Sequence, residues 1–195
     1  MVTIARQFGS LGRPIARKVS EKLGIEYYDR DIVDFTAKKL NLPVSTISDE
    51  EESAKSEFFN MSYPLGMETT EIQDKIFAVQ RKIITDFAEK RSCIIVGRCS
   101  DYILKDCTKI INIYIYAPYT ARLCNCVEKL NMQPAEAKRM IAEVDKAREA
   151  YHRHYCGYSM SDKDFKQVML DSSLLGVEDT CDVLVGIIRK RFNLK

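Results

Sequence analysis

Three things are scarce in this chain: excess charge of either sign, paired cysteines and long apolar runs. Thirty lysines and arginines stand against 28 acidic residues, a formal net charge of +2. Nucleic-acid-binding domains carry a clear basic excess, so nucleic acid is not an expected partner, and any basic patch has to come from local arrangement. The seven cysteines, at 93, 99, 107, 124, 126, 156 and 181, include no C-x-x-C pair. Cys124 and Cys126 are two apart, which points them to different faces of a helix. With an odd count and no signal peptide ahead of the first apolar stretch, reduced thiols and a cytoplasmic protein are expected. No apolar run approaches the roughly 18 residues that span a bilayer, so no membrane partner is expected. Internal repeats and low-complexity linkers are also absent.

What is present is an ordinary globular composition, 46% apolar and 30% charged over 195 residues. That length suits one domain with an ample core. Short apolar runs alternate with segments of helical period. Residues 2–5 read as a strand, and 13–23 as a helix with Ile15, Ala16, Val19 and Leu23 on one face. Pro14 fits there because the first helical turn needs no N–H from it, and Gly24 stops the helix. "IEYY" reads as a second strand, with Asp29 as the cap of a helix over 32–40. "STISDEE" reads as a capped helix start and "NMSYPLGMETT" as a loop. Glu71–Lys90 carries an apolar stripe at 72, 76, 79, 83 and 87. "CIIVG" and "KIINIYIYA" read as buried strands, and "SDYILKD" between them as a short helix. Helices are expected from Pro118 to about 130 and over 134–155, a last strand within "FKQVMLDSS", and a closing helix over 177–192. The alternation implies an α/β fold with a parallel sheet. The long helical tract after the second strand is expected over the carboxyl ends of the strands, where such sheets bind ligands.

The stretch "ARQFGSLGR" joins the first strand to the first helix. Gly9 and Gly12 would let the backbone turn its N–H groups inward, and the helix start adds a positive dipole end. Gln7 stands where the common G-x-x-x-x-G-K-[ST] loop has its first glycine, Arg13 where it has lysine, and Pro14 where it has a hydroxyl. Arg13 supplies a planar cation instead of a point charge, and Arg6 is a second candidate. Ser10 precedes the second glycine and Ile15 has no ligand atom, so the loop offers no hydroxyl for a metal. Magnesium would rest on nucleotide and water, or on a carboxylate such as Asp29. The plain alternative is a strand-to-helix turn that binds nothing. "YYDR" places Asp29 and Arg30 at a strand's carboxyl end, as ligand residues or as a cap and a surface arginine. The helix over 134–155 carries Arg139, Asp145, Arg148 and Arg153, with Asp145 and Arg148 three apart and able to pair. His152 and His154 are two apart, unsuited to sharing a metal on one helix face, and are expected at the surface or on a lid. Asp171, Ser172 and Ser173 in "LDSS" would shape a base site or cap a helix.

"ARQFGSLGR", "YYDRDIV", "IIVGRCSDYIL" and "VDKAREAYHRHYCG" with the later "LDSS" together resemble the cytidylate kinase-like family, a branch of the P-loop nucleoside monophosphate kinases. The resemblance runs nearly the full length. It implies one domain over 1–195, a five-stranded parallel sheet with helices on both faces, a helical acceptor-binding insertion at about 30–90 and a helical lid at about 131–160. It also implies ATP with Mg²⁺, nucleotide substrates, and phosphates held by Arg6, Phe8, Gly9, Ser10, Leu11, Gly12, Arg13, Pro14 and Arg122. The acceptor would meet Asp29, Arg30, Arg98 and Asp101, and Arg13, Arg98, Arg148 and Arg153 would offset charge in the transfer. The family's Gly-Arg is followed by an aspartate; here Cys99 stands there, which removes the basis for cytosine specificity. A sensor that keeps the cradle without turnover is the alternative. Self-association is left open.

Overall fold

The computed structural model describes residues 1–41 and 71–194, without the side chains of Arg30, Val33, Glu71 and Ile72. The expected "STISDEE" helix and "NMSYPLGMETT" loop lie outside the described residues. Five strands form one sheet: β1 (Val2–Arg6), β2 (Glu26–Tyr28), β3 (Cys93–Val96), β4 (Ile111–Tyr116) and β5 (Val168–Asp171). Their order is β2-β3-β1-β4-β5, and every described pairing is parallel. The β1 and β3 residues are all buried, as continuous apolar runs in a parallel sheet must be.

Seven α-helices are described: α1 (Gly12–Leu23), α2 (Arg30–Leu40), α3 (Glu71–Lys90), α4 (Ser100–Ile103), α5 (Tyr119–Glu128), α6 (Pro134–Cys156) and α7 (Ser172–Phe192). On one face, Ile15, Ala16 and Val19 of α1 and Leu184, Val185 and Ile188 of α7 bury the isoleucines of β1, β3 and β4. On the other, Ile83 and Ile84 of α3 join Ile32, Leu104, Cys93 and Ile95. The result is a three-layer α/β fold with helices on both faces. The C-terminal half of α3 therefore lies on the face of the sheet, while its N-terminal half reaches α6 through Phe77 stacked on Tyr155 at 4.0 Å.

Expected boundaries hold closely. Gly24 closes α1 in the left-handed region at φ 63°. At Gly176 the helical run breaks (φ 72°, ψ −170°), so the long closing helix does begin at Val177, after a separate turn from Ser172. That first turn is capped by Asp171, which accepts from the Ser173 N–H at 2.8 Å.

Candidate functional site

The chain leaves β1 at Arg6 and turns through residues 7–11 into α1. This loop is fastened from behind. The Gln7 N–H donates to the Ile115 carbonyl (3.0 Å), and Gln7 Oε1 accepts from the Ala117 N–H (3.1 Å). The Ser10 hydroxyl is shared between the carbonyls of Gln7 (2.9 Å) and Ile115 (3.2 Å), while Ser172 Oγ donates to the Ser10 carbonyl at 2.6 Å. Asn125 Nδ2 donates to the Gly9 carbonyl (3.0 Å). Asp145 Oδ1 on α6 accepts from the Phe8 N–H at 2.8 Å, and its other oxygen takes Arg122, which also donates to the Phe8 carbonyl (3.2 Å). After these bonds, the N–H groups of Gly9, Leu11 and Gly12 have no acceptor among the described residues. Gly9 and Leu11 take left-handed φ values of 75° and 57°.

Asp145 thus pairs with Arg122 and the loop, where helical spacing pointed to Arg148. Tertiary reach decides this: Asp145 and Phe8 are 137 residues apart in sequence. Arg148 instead donates to the Arg6 carbonyl at 3.0 Å.

Gly12 serves a purpose other than turning N–H groups inward. It is the first residue of α1, and a Cβ there would stand 2.7 Å from the Arg6 Cβ. A Cβ on Gly97 would stand 2.7 Å from an Arg6 guanidinium nitrogen. The two glycines make the passage through which buried Arg6 runs toward Asp29, ending 3.8 Å from it.

Asp29 occupies the N-cap position of α2, as expected, but its carboxylate makes no cap bond. It accepts from Arg13 Nε and from the Tyr27 hydroxyl (3.2 Å). A buried carboxylate beside two guanidiniums makes charge-assisted bonds that a single backbone N–H cannot match. Burial, and then the Asp29 charge, push the Tyr27 phenol well above its ordinary range. Burial likewise pushes Tyr114 up to about 12, with Asp145 the next cause.

Above the loop lies a cavity of about 650 Å³. Phe8, Gly9, Leu11, Gly12 and Pro14 form its floor, and Leu130, Met132 and Met140 an apolar wall. Among the described residues its charged lining is Arg6, Arg13, Arg17 and Arg148 against Asp29 and Asp31, four positive groups to two negative, which suits an anion. The described residues do not fit magnesium by themselves. The Ser10 hydroxyl faces carbonyls, Asp29 bonds arginines and Tyr27, and Asp31 is the remaining carboxylate among the described lining residues.

Over residues 1–174 the sequence matches the profile of the cytidylate kinase-like family. The chain belongs to that family. Nothing among curated proteins matches it. Among solved structures, it resembles an uncharacterized protein from Eubacterium ventriosum ATCC 27560 at 24% identity and TM-score 0.73, with 96% of each chain covered. It also resembles shikimate kinase from Bacteroides thetaiotaomicron at 10% identity and TM-score 0.55, covering 99% of this chain and 98% of that one. Shikimate kinase from Acinetobacter baumannii, in complex with shikimate, matches at 12% identity and TM-score 0.53 over 97% and 92%. These three likenesses establish the fold, which the two shikimate kinases share.

In this cytidylate kinase-like chain Ser10, Arg98, Asp101, Arg122 and Arg153 are not among the described residues that line the cavity. Arg122 is buried beneath the loop on Asp145. Arg98 follows β3 at φ 58° and is half-buried. Arg153 is exposed and bonds Glu149 at 2.6 Å. Asp101 is buried, with Lys166, Tyr158 and His152 on its carboxylate. The Arg30 side chain is outside the described residues. His152 was expected at the surface or on a lid; it is 4% exposed, with Asp101 and the Tyr158 carbonyl on its ring nitrogens. Sequence reading passed over Arg17, whose spacing of four from Arg13 on one helix face was a usable signal.

Proposed function

We propose that this protein transfers the γ-phosphoryl group of ATP directly to a small acceptor, most simply a nucleoside monophosphate such as CMP. One observation carries the reading: the N–H groups of Gly9, Leu11 and Gly12 belong to residues lining the same cavity as Arg6, Arg13, Arg17 and Arg148. Phosphoryl transfer asks for little covalent chemistry from a protein. It asks for positioning and for positive charge where the equatorial oxygens gather negative charge. The loop N–H groups and the α1 start would hold donor phosphates. Arg13 and Arg148, which both line the cavity, would offset charge as the acceptor oxygen displaces ADP, with Arg98 and Arg153 as further candidates. Asp29 and Arg30 would meet the acceptor. Magnesium would come with the nucleotide, and no step is assigned to a protein-held ion. The fold and family support a small-molecule kinase; the acceptor is a reading from family membership, with Cys99 in place of the usual aspartate.

The experiment is a coupled ADP-release assay with magnesium across a panel of nucleoside monophosphates. Turnover on one of them that disappears in Arg13→Ala supports the proposal. ATP binding without ADP release on any acceptor sinks it, in favour of a nucleotide sensor. The observation behind that second reading is the bond from Arg13 to Asp29, which holds the loop's cation on a carboxylate.

A further inference from the structure

Away from the arginine-lined cavity, a second cluster joins the end of α6 to the turn after β3. Its members are Cys99, His152 and Cys156. One ligand atom from each lies within 4.8 Å of the others. His152 and Cys156 are four apart on α6, so they share a face, the spacing at which a helix presents two ligands to one ion. Cys99 comes from the N-cap of α4, 53 to 57 positions earlier in the chain. All three are nearly closed to solvent, at 4%, 4% and 9% exposure.

The backbone around Cys99 is unusual. Gly97, Arg98 and Cys99 take left-handed φ values of 72°, 58° and 52° in succession. Two of these are not glycine, a conformation that side-chain-bearing residues rarely adopt. Such strain persists where surrounding structure demands it. Here it turns the Cys99 thiol toward α6.

The hydrogen bonds of His152 sharpen the point. Nδ1 lies 3.0 Å from the Tyr158 carbonyl, which only accepts, so Nδ1 carries a proton. Nε2 lies 3.2 Å and 3.3 Å from the two Asp101 oxygens, which as a carboxylate also only accept. A bare nitrogen lone pair facing a carboxylate at that distance is repulsive, so a cation sits between them: a proton or a metal. Two ligand atoms of one tetrahedral zinc ion stand roughly 3.3 Å apart for nitrogen and oxygen, which is the separation seen. Nδ1–H donating to a backbone carbonyl is the outer-shell bond that fixes a ligating imidazole. The charges also balance. Two thiolates, the Asp101 carboxylate, buried Lys166 on that carboxylate and a divalent ion sum to zero.

We propose that Cys99, His152 and Cys156, with Asp101 beside them, form a binding site for a zinc-class divalent ion. Two thiolates and an imidazole select a borderline-soft metal and reject magnesium and calcium, which take oxygen. Binding would release the two thiol protons and clamp the C-terminal end of α6 to the β3–α4 turn. The site is separate from the phosphoryl-transfer cavity, and its test does not depend on turnover.

The test uses full-length protein, reduced and stripped with a chelator, then titrated with Zn²⁺ against a chromogenic competitor. One equivalent per chain is expected. Cys99→Ser and Cys156→Ser should each weaken it roughly 100-fold or more, beyond the loss seen for outer-shell changes, while Cys124→Ser, at an exposed position, should not. Unsubstituted protein loaded with Co²⁺ should show thiolate-to-cobalt charge-transfer absorption, a readout that no folding defect in a variant can obscure. A cobalt spectrum without that band overturns the proposal. So does stoichiometric zinc binding that survives both serine variants, or a reduced chain that takes up no zinc and leaves a proton on His152.

Discussion

Arg13, in the first turn of α1, bonds through Nε to the carboxylate of Asp29 at the end of β2. The contact holds the loop's cation against a buried anion on the rim of the cavity. It sets stability and anion binding against each other. Asp29→Asn should destabilise the fold by about 2 kcal/mol. That lies below the ~3–5 of a fully buried pair, because 21% of the Arg13 side chain is exposed. The same variant should bind inorganic phosphate several-fold more tightly, since a negative charge leaves the cavity lining. Denaturant unfolding and phosphate titration calorimetry read the two effects, and a variant that loses both stability and phosphate affinity would contradict this account.

Arg6 and Gly12 should be energetically coupled. Gly12→Ala places a methyl group 2.7 Å from the Arg6 Cβ, an overpacking cost of about 1–3 kcal/mol. Once Arg6 is itself alanine, the methyl still meets the Arg6 Cβ but the rest of the side chain can no longer resist its movement. A double-mutant cycle should therefore give a coupling of roughly 0.5–3 kcal/mol. Strict additivity would mean that Gly12 matters for some reason other than the passage of Arg6.

Asp145→Ala removes the acceptor of the Phe8 N–H and strands Arg122, whose side chain is 10% exposed. A loss of about 3 kcal/mol is expected, because an arginine is left buried without its partner. Amide exchange at Phe8 should quicken while exchange at the centre of β1 changes only with global stability. Hydrogen-exchange mass spectrometry of the loop peptide separates the two.

Tyr27 makes a prediction at high pH. Its phenol is raised above the ordinary value near 10 by burial and by Asp29, so the folded state holds that proton more tightly than the unfolded state. Stability is unaffected below about pH 10, and falls above it as the unfolded chain ionises first. Tyr27→Phe should flatten the fall of melting temperature between pH 9 and 11, although other buried tyrosines will keep part of the slope.

Local structure was largely legible in the sequence, because helical and strand periods, proline and glycine act over a few residues. The helix through Lys90 ends where its stripe predicts, and Gly176 interrupts the last helix just before Val177. The site was legible in outline: Arg6, Arg13, Asp29 and Arg148 do meet around one cavity. What spacing could not reveal were partners brought together by the fold. Asp29 read as a cap or a ligand residue, His152 as a surface or lid residue, and Gly12 as a loop glycine. Each is explained by a side chain from another element: Arg13, Asp101 and Arg6. The i, i+4 pair of His152 and Cys156 was readable, but gains meaning only when Cys99 arrives from the turn after β3.

The fastening of residues 7–10 by Gln7, Ser10, Ser172, Asn125 and Asp145 has a thermodynamic consequence. Every one of these bonds lies within the chain, so the cradle takes its shape when the protein folds and not when a ligand arrives. An anion settling there has little backbone left to order, and so avoids much of the entropy loss that flexible loops impose on binding. Association should then show a small heat-capacity change, dominated by the exchange of water for arginine around the anion instead of by closure of the loop.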